Sequence, residues 1–151
     1  MKKYVLLALL AAAGFFGYRF VVRMQQESCY KKLADAWATG MTNDALQYAE
    51  GDAVRRSLEE HSLRSLVDGR MIEAWRGVNY TIESSSKDED GDVTLEAKQR
   101  LAFDPPGITS AIGGAMWVSF HHSAKLRHTS NGWKVVAFTP TFIDFQRIPR
   151  R

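Results

Sequence analysis

Hydrophobic and polar positions divide this chain into three regimes. Residues 4–18 are almost continuously apolar, and Phe20, Val21 and Val22 extend the run past Arg19. From Gln26 onward apolar residues recur every three or four positions, the period of a half-buried helix. After Met71 the period shortens to two, the signature of strands with one face covered. The order predicts an α+β domain: an N-terminal transmembrane helix, then helices packed on a curved antiparallel sheet of about four strands.

The first regime has the size of a membrane anchor. Residues 4–22 as a helix span about 28 Å at about 1.5 Å per residue, close to the hydrocarbon core of about 30 Å. Arg19 lies one turn from the end, where its long stem lets the guanidinium reach the headgroups. A signal peptide cleaved after Ala13 is an alternative, since "AAAG" offers small residues there. It leaves the apolar start "GFFGYRFVV", which is unfavourable in water. A buried soluble helix is a third reading. Lys2 and Lys3 favour an N-in orientation, which places the domain outside the cytoplasm at the inner membrane.

In the second regime, Tyr30, Leu33, Ala34 and Trp37 form one apolar stripe, and Gly40 is the expected stop. A short helix is expected from a Thr42 or Asn43 cap to Gly51. A third helix carries Val54, Leu58 and Leu66 on or near one face and stops at Gly69. His61 reads as an ordinary helix histidine. The organisation expected is an anchor over 1–24, one domain over 25–146, and a basic tail over 147–151.

The third regime predicts two hairpins. Val78, Tyr80 and Ile82 share one side of the first strand; Val93, Leu95, Ala97, Leu101 and Phe103 share one side of the second. Between them "SSSKDEDGD" reads as a solvated acidic tip, lacking the ordered ligands of a calcium loop. The last two strands meet at Asn131-Gly132, read as a two-residue type I′ turn. That turn pairs His122 with Thr141 and Ala124 with Thr139. Pro140 points to a bulge or an edge position. "IGGA" lacks the Lys-Ser/Thr of a phosphate-binding loop.

Charge changes the picture by its distribution. The first 24 residues hold four cations and no acid, and the tail holds three arginines, so residues 25–146 stand at −4 against an overall +3. Nucleic acid needs a basic face, so it is set aside as a partner. Cys29 is the only cysteine, which excludes an intrachain disulfide and paired-cysteine zinc sites. No metal and no cofactor is expected.

Three histidines crowd into "SFHHSAKLRHTSNGW". On a strand His121 and His122 point to opposite faces, so they cannot share one ion. His121 falls on a polar row and His128 beside the turn. His122 lies on the apolar row Met116, Val118, Phe120, Ala124, Leu126. It is the one weak catalytic candidate, read first as a hydrogen-bonded core residue. Tyr80, Gln99, His122, Thr139 and Thr141 are the polar groups expected on apolar faces, a candidate pocket lining or a set that satisfies itself. The well-alternating apolar rows contain no carboxylate base; Asp144 and Glu73 enter only if a bulge shifts register. Trp117, Val136, Phe138 and Phe142 are expected on the other face. Trp117, Phe138 and Phe142 there form a candidate interface for a homodimer or an envelope protein.

"KKLADAWATGMTNDALQYAEGDAV", a Trp-bearing helix followed by a short helix and an acidic "DAV", resembles the opening of the nuclear transport factor 2-like superfamily. "GWKVVAFTPTF" is similar to its final strand. The resemblance covers about residues 26–145. It implies a cystatin-like cone of sheet around a long helix, as in SnoaL-like and ketosteroid-isomerase-like domains. In the enzymes of that family cavity acids and tyrosines move protons; the acids are not evident here. A membrane anchor leading into such a domain is similar to the inner-membrane assembly component of type IV secretion systems, a protein-interaction module. The expected function is therefore a membrane-anchored, non-catalytic interaction or assembly domain of the cell envelope. The alternative is a binder of small apolar ligands, or an isomerase-like enzyme, with His122 as proton carrier and Tyr80, Gln99 and Thr141 orienting the ligand.

Overall fold

The computed structural model describes residues 2–61, 75–103 and 116–147, with side chains of the first helix from Ala11 onward. Helices pack on a four-stranded antiparallel curved sheet. The elements are α1 (Lys2–Ala38), α2 (Thr42–Leu46), α3 (Asp52–Glu60), β1 (Trp75–Lys87), β2 (Val93–Phe103), β3 (Met116–Thr129) and β4 (Gly132–Arg147). The sheet order is β1-β2-β3-β4, a plain meander.

α1 is one helix of 37 residues and runs without a break through residue 24. Its end is chemically explicit. Gly40 takes φ 70, which only glycine adopts cheaply. Gly40 N–H then donates to Trp37 O at 3.1 Å and Met41 N–H to Ala36 O at 2.9 Å, the paired bonds of a Schellman cap. Gly40 is thus the stop expected of it. Among the described residues no helix is long and apolar enough to cross a membrane.

α2 differs from expectation. Met41, not Thr42 or Asn43, is its N-cap, and no side chain caps it. The helix ends at Leu46 because the chain leaves to meet the sheet: Glu50 N–H donates to Val135 O at 2.9 Å, and Val135 N–H to Tyr48 O at 2.8 Å. That short parallel bridge covers the free edge of β4. Ser57 on α3 covers it again by donating to Phe138 O. Leu66, Gly69, Glu73 and "IGGA" lie outside the described residues.

β2 and β3 pair without interruption from Val93↔Leu126 to Phe103↔Met116. β3 and β4 do not. Thr129 pairs with Gly132, so the loop is Ser130-Asn131 and Gly132 already belongs to the strand. Gly132 alone has positive φ, at 92, and Asn131 does not. Ser130 and Asn131 therefore lack the positive φ that a type I′ turn requires at both central residues, and the type I′ expectation is corrected. Thr129 Oγ1 holds the turn, donating to Gly132 O at 2.9 Å and accepting from Asn131 N–H at 3.2 Å. Farther along, Val136 is skipped between the pairs Leu126↔Val135 and Lys125↔Ala137, and Ile143 between Phe120↔Phe142 and Ser119↔Asp144.

Each skipped residue flips the faces beyond it. Between the two bulges, residues 137–142 are turned over relative to the expected register. His122 pairs with Pro140, not Thr141, and Ala124 with Phe138, not Thr139. Phe138 and Pro140 are buried, while Ala137, Thr139 and Thr141 are exposed. Pro140 does lie on an edge strand, where its missing N–H breaks no interior ladder.

The acidic β1–β2 tip is held rather than loose. Arg127 on β3 makes a forked contact with Asp92, at 2.7 Å for its closest pair, and Lys125 reaches Asp88 at 2.8 Å. Hydrogen bonding from Arg127 holds the Asp92 carboxyl below the usual range, and Lys125 does the same for Asp88.

Candidate functional site

The C-terminal half of α1 lies across the sheet, and its stripe determines what meets the strands. Rows on the covered face follow from the register: Ile82, Ala97, His122, Pro140, then Tyr80, Gln99, Phe120, Phe142, then Val78, Leu101, Val118, Phe145. Trp37 sets its ring edge-on to Phe120 at 5.1 Å, His122 at 5.2 Å and Phe138 at 5.9 Å. Its indole N–H donates to His61 O at 2.8 Å, fixing the end of α3.

Two short polar chains run through this apolar contact. Tyr30 Oη lies 2.9 Å from His122 Nδ1. Tyr80 Oη donates to the Asp35 carboxylate and accepts from Gln99 Nε2 at 3.2 Å. Gln99 Nε2 also reaches Ala34 O at 3.3 Å. The rings of Tyr30 and Tyr80 meet edge-on at 6.1 Å and bring the two chains together. So the structure assembles Tyr80, Gln99 and His122, and it adds Tyr30 and Asp35 from α1.

Burial decides the chemistry of this cluster. His122 and Gln99 are 0 % exposed. Burial, reinforced by the neighbouring His121, pushes the His122 pKa down to about 3, so the imidazole is neutral near pH 7. Burial likewise raises the Tyr30 hydroxyl, with Asp35 adding to it, and raises Tyr80, whose bond to Asp35 adds further. Each group is locked in its neutral form. Among the described residues His122 Nε2 and Gln99 Oε1 have no hydrogen-bond partner.

The remaining candidates do not join them. Thr139 and Thr141 are exposed on the opposite face, carried there by the Val136 bulge. The expected interface trio is also divided. Phe138, 1 % exposed, is core. Trp117 is half-buried on the far face, opposite Ala102 and Gln146. Phe142, 47 % exposed, pairs with Phe120 on the covered face. His121 lies on the far face between Glu96 at 3.4 Å and Glu83 at 3.6 Å, and exposed His128 packs its ring on Trp133 at 5.2 Å. The crowded histidines thus occupy three separate environments.

Asp35 and Tyr30 were the residues a strand-based search misses. Both sit on α1, where Tyr30 reads as one more member of the apolar stripe and Asp35 as a solvated neighbour of Ala34. The signal for Asp35 was its place one residue beyond the stripe, at the rim where a tyrosine from the sheet can reach it.

Two open grooves lie away from this cluster. Grooves of about 870 and 1210 Å³ run along α1 where it passes the hairpin tips, and neither is lined by Tyr80, Gln99 or His122. Comparison with protein families, with characterised proteins and with solved structures finds no match for this chain.

Proposed function

We propose that this chain is a membrane-tethered, non-catalytic interaction or assembly domain of the cell envelope, built as a nuclear transport factor 2-like cone. The observation that carries the reading is the closed contact between α1 and the sheet. His122, the one candidate proton carrier, is fully buried, neutral and bonded to Tyr30. A general acid or base needs access to its substrate and a pKa near the working pH; this residue has neither.

The tether is supported by the apolar run over residues 4–18 and by its continuation as exposed side chains. Phe15, Phe16, Tyr18, Phe20, Val21 and Met24 are all more than half exposed. An apolar face of that extent needs a cover, and a bilayer supplies it on the inner-membrane, N-in reading. The interaction surface is best supported at Phe142, which is half-exposed beside exposed Ile143 and packs on the Phe145 ring at 5.0 Å. It replaces the trio of Trp117, Phe138 and Phe142.

The test uses the full-length chain in membranes. It should resist alkaline carbonate extraction, and a photoreactive residue at position 142 should give a discrete cross-linked product that one at exposed Glu59 does not. Release by carbonate would end the tether. A steroid dienone that raises Tm in the wild type and not in His122→Ala would instead establish the ligand-binding alternative.

A further inference from the structure

The smaller groove combines two chemistries in a fixed order along α1. Toward the N-terminal, apolar run its walls are Val21 and Met24. Toward the domain they are Lys32, Lys134, His128 and Trp133. The two ammonium groups are held on adjacent residues of the segment after α2. Lys134 Nζ donates to Gln47 O at 2.6 Å, and Lys32 Nζ lies 5.6 Å from the centroid of the Tyr48 ring. Burial pushes the Cys29 thiol in the same groove up, and the two ammonium charges only partly oppose that rise.

Acids are missing where the balance of the domain would predict them. Among the described residues the lining of this groove contains no Asp or Glu, and neither does that of the adjoining one, which adds Arg19, Arg23 and Lys87. Residues 25–146 as a whole are net acidic. Arg23 is engaged by Glu27 at 2.9 Å. Lys32 and Lys134 have no carboxylate partner among the ion pairs found in the described residues. Val21 and Lys32 are separated by about 16 Å at about 1.5 Å per residue. An apolar upper wall, a cationic lower end and aromatic rings at the side match a phospholipid lying chain-inward and headgroup-outward. Basic residues next to a span attract anionic lipids in general; here two of them are built into a concave site.

We propose that this groove holds an anionic phospholipid drawn partly out of the bilayer, its phosphate between Lys32 and Lys134, about 15 Å past residue 22 at about 1.5 Å per residue, and its acyl chains leading back along Met24 and Val21 to the membrane. The proposal rests on the reading that α1 is seated in a bilayer. Two steps separate the claims. First, the full-length chain is floated with vesicles of phosphatidylcholine alone; a chain left behind fails the tether, and the lipid site falls with it.

Next, the chain is extracted from nanodiscs containing phosphatidylcholine and phosphatidylglycerol, and retained lipids are counted by native mass spectrometry. Phosphatidylglycerol should be enriched about tenfold over its share of the bilayer, a difference of about 1.4 kcal/mol. The pair Lys32→Gln and Lys134→Gln should remove most of that enrichment. The pair Lys31→Gln and Lys98→Gln removes the same charge away from the groove and should leave the enrichment in place. Glutamine retains part of each stem, and all four positions are at the surface, so folding is preserved. Wild-type retention in proportion to the bilayer would overturn the proposal while leaving the tether intact. So would equal losses in the two double variants, or displacement of the lipid by millimolar inorganic phosphate.

Discussion

The two halves of α1 are the same secondary structure in opposite relations to their surroundings. In the C-terminal half, Tyr30, Leu33, Ala34 and Trp37 form one stripe and are buried, while Lys32 and Asp35 between them are exposed. In the N-terminal half, residues 11–20 are exposed on every side, aromatics included. A stripe needs one apolar neighbour, and the sheet supplies it. The upper half, exposed though largely apolar, shows no such stripe; on the membrane-tethered reading proposed above, lipid covers it. Backbone hydrogen bonding is indifferent to this distinction, so α1 continues unbroken across it and only the side chains record the change.

The sharpest way to break the comparison is Trp37→Ala. The indole meets Phe120, His122 and Phe138 and donates to His61 O. Removing it leaves a cavity where helix and sheet meet and should cost about 3–5 kcal/mol. Urea titration of the full-length chain in detergent would read this as a lower midpoint with an unchanged slope.

The stripe also imposes a pH dependence. His122 titrates at about 3 when folded, against about 6.5 when unfolded. Above about pH 6.5 neither state binds the proton, and the domain keeps its full stability. Between about 6.5 and 3 only the unfolded chain is protonated, so stability falls with pH by up to about 1.4 kcal/mol per unit from this residue. The carboxylates contribute slopes of their own. The difference between wild type and His122→Gln, measured by urea titration from pH 6 to pH 4, isolates the imidazole. Equal slopes would mean that the ring is hydrated when folded.

How much of this was legible depends on where the phase of the pattern is marked. β2 alternates strictly, and Val93, Leu95, Ala97, Gln99 and Leu101 are buried as the alternation requires. Gly40 announced its turn because only glycine takes that φ cheaply. β4 carries no such mark. "VVAF" over residues 135–138 is apolar at every position, so it fits either register, and Val136 is skipped with no glycine to betray it. One unread residue then moved Thr139 and Thr141 out of the candidate pocket and Phe138 into the core. The helix-to-sheet contacts of Tyr30 and Asp35 are beyond any strand pattern, because they depend on how α1 crosses the sheet.

A smaller effect sharpens the comparison at the rim of the buried half. Tyr80→Phe removes the hydroxyl that joins Asp35 on α1 to Gln99 on β2. Gln99 Nε2 retains Ala34 O, and Asp35 is open to water. The loss should be about 1 kcal/mol, visible as a small shift in the urea midpoint. A much larger loss would mean that Gln99 depends on this hydroxyl for its orientation.

The smallest effect on stability is expected in the other half, and its smallness is what the comparison requires. Phe16 is 68 % exposed and Phe20 64 %, and neither belongs to the apolar core. Phe16→Ala and Phe20→Ala together should leave the urea midpoint of the domain within about 0.5 kcal/mol, as for surface positions. The same pair should weaken partition into phosphatidylcholine vesicles when the rest of the apolar run is shortened in parallel, since each ring contributes about 1.5–3 kcal/mol of transfer energy only where lipid covers it. One helix would then carry two independent free energies, one read by urea and the other by flotation. A fall in the urea midpoint comparable to that of Trp37→Ala would show that the upper half packs on protein, and the division drawn along α1 would be wrong.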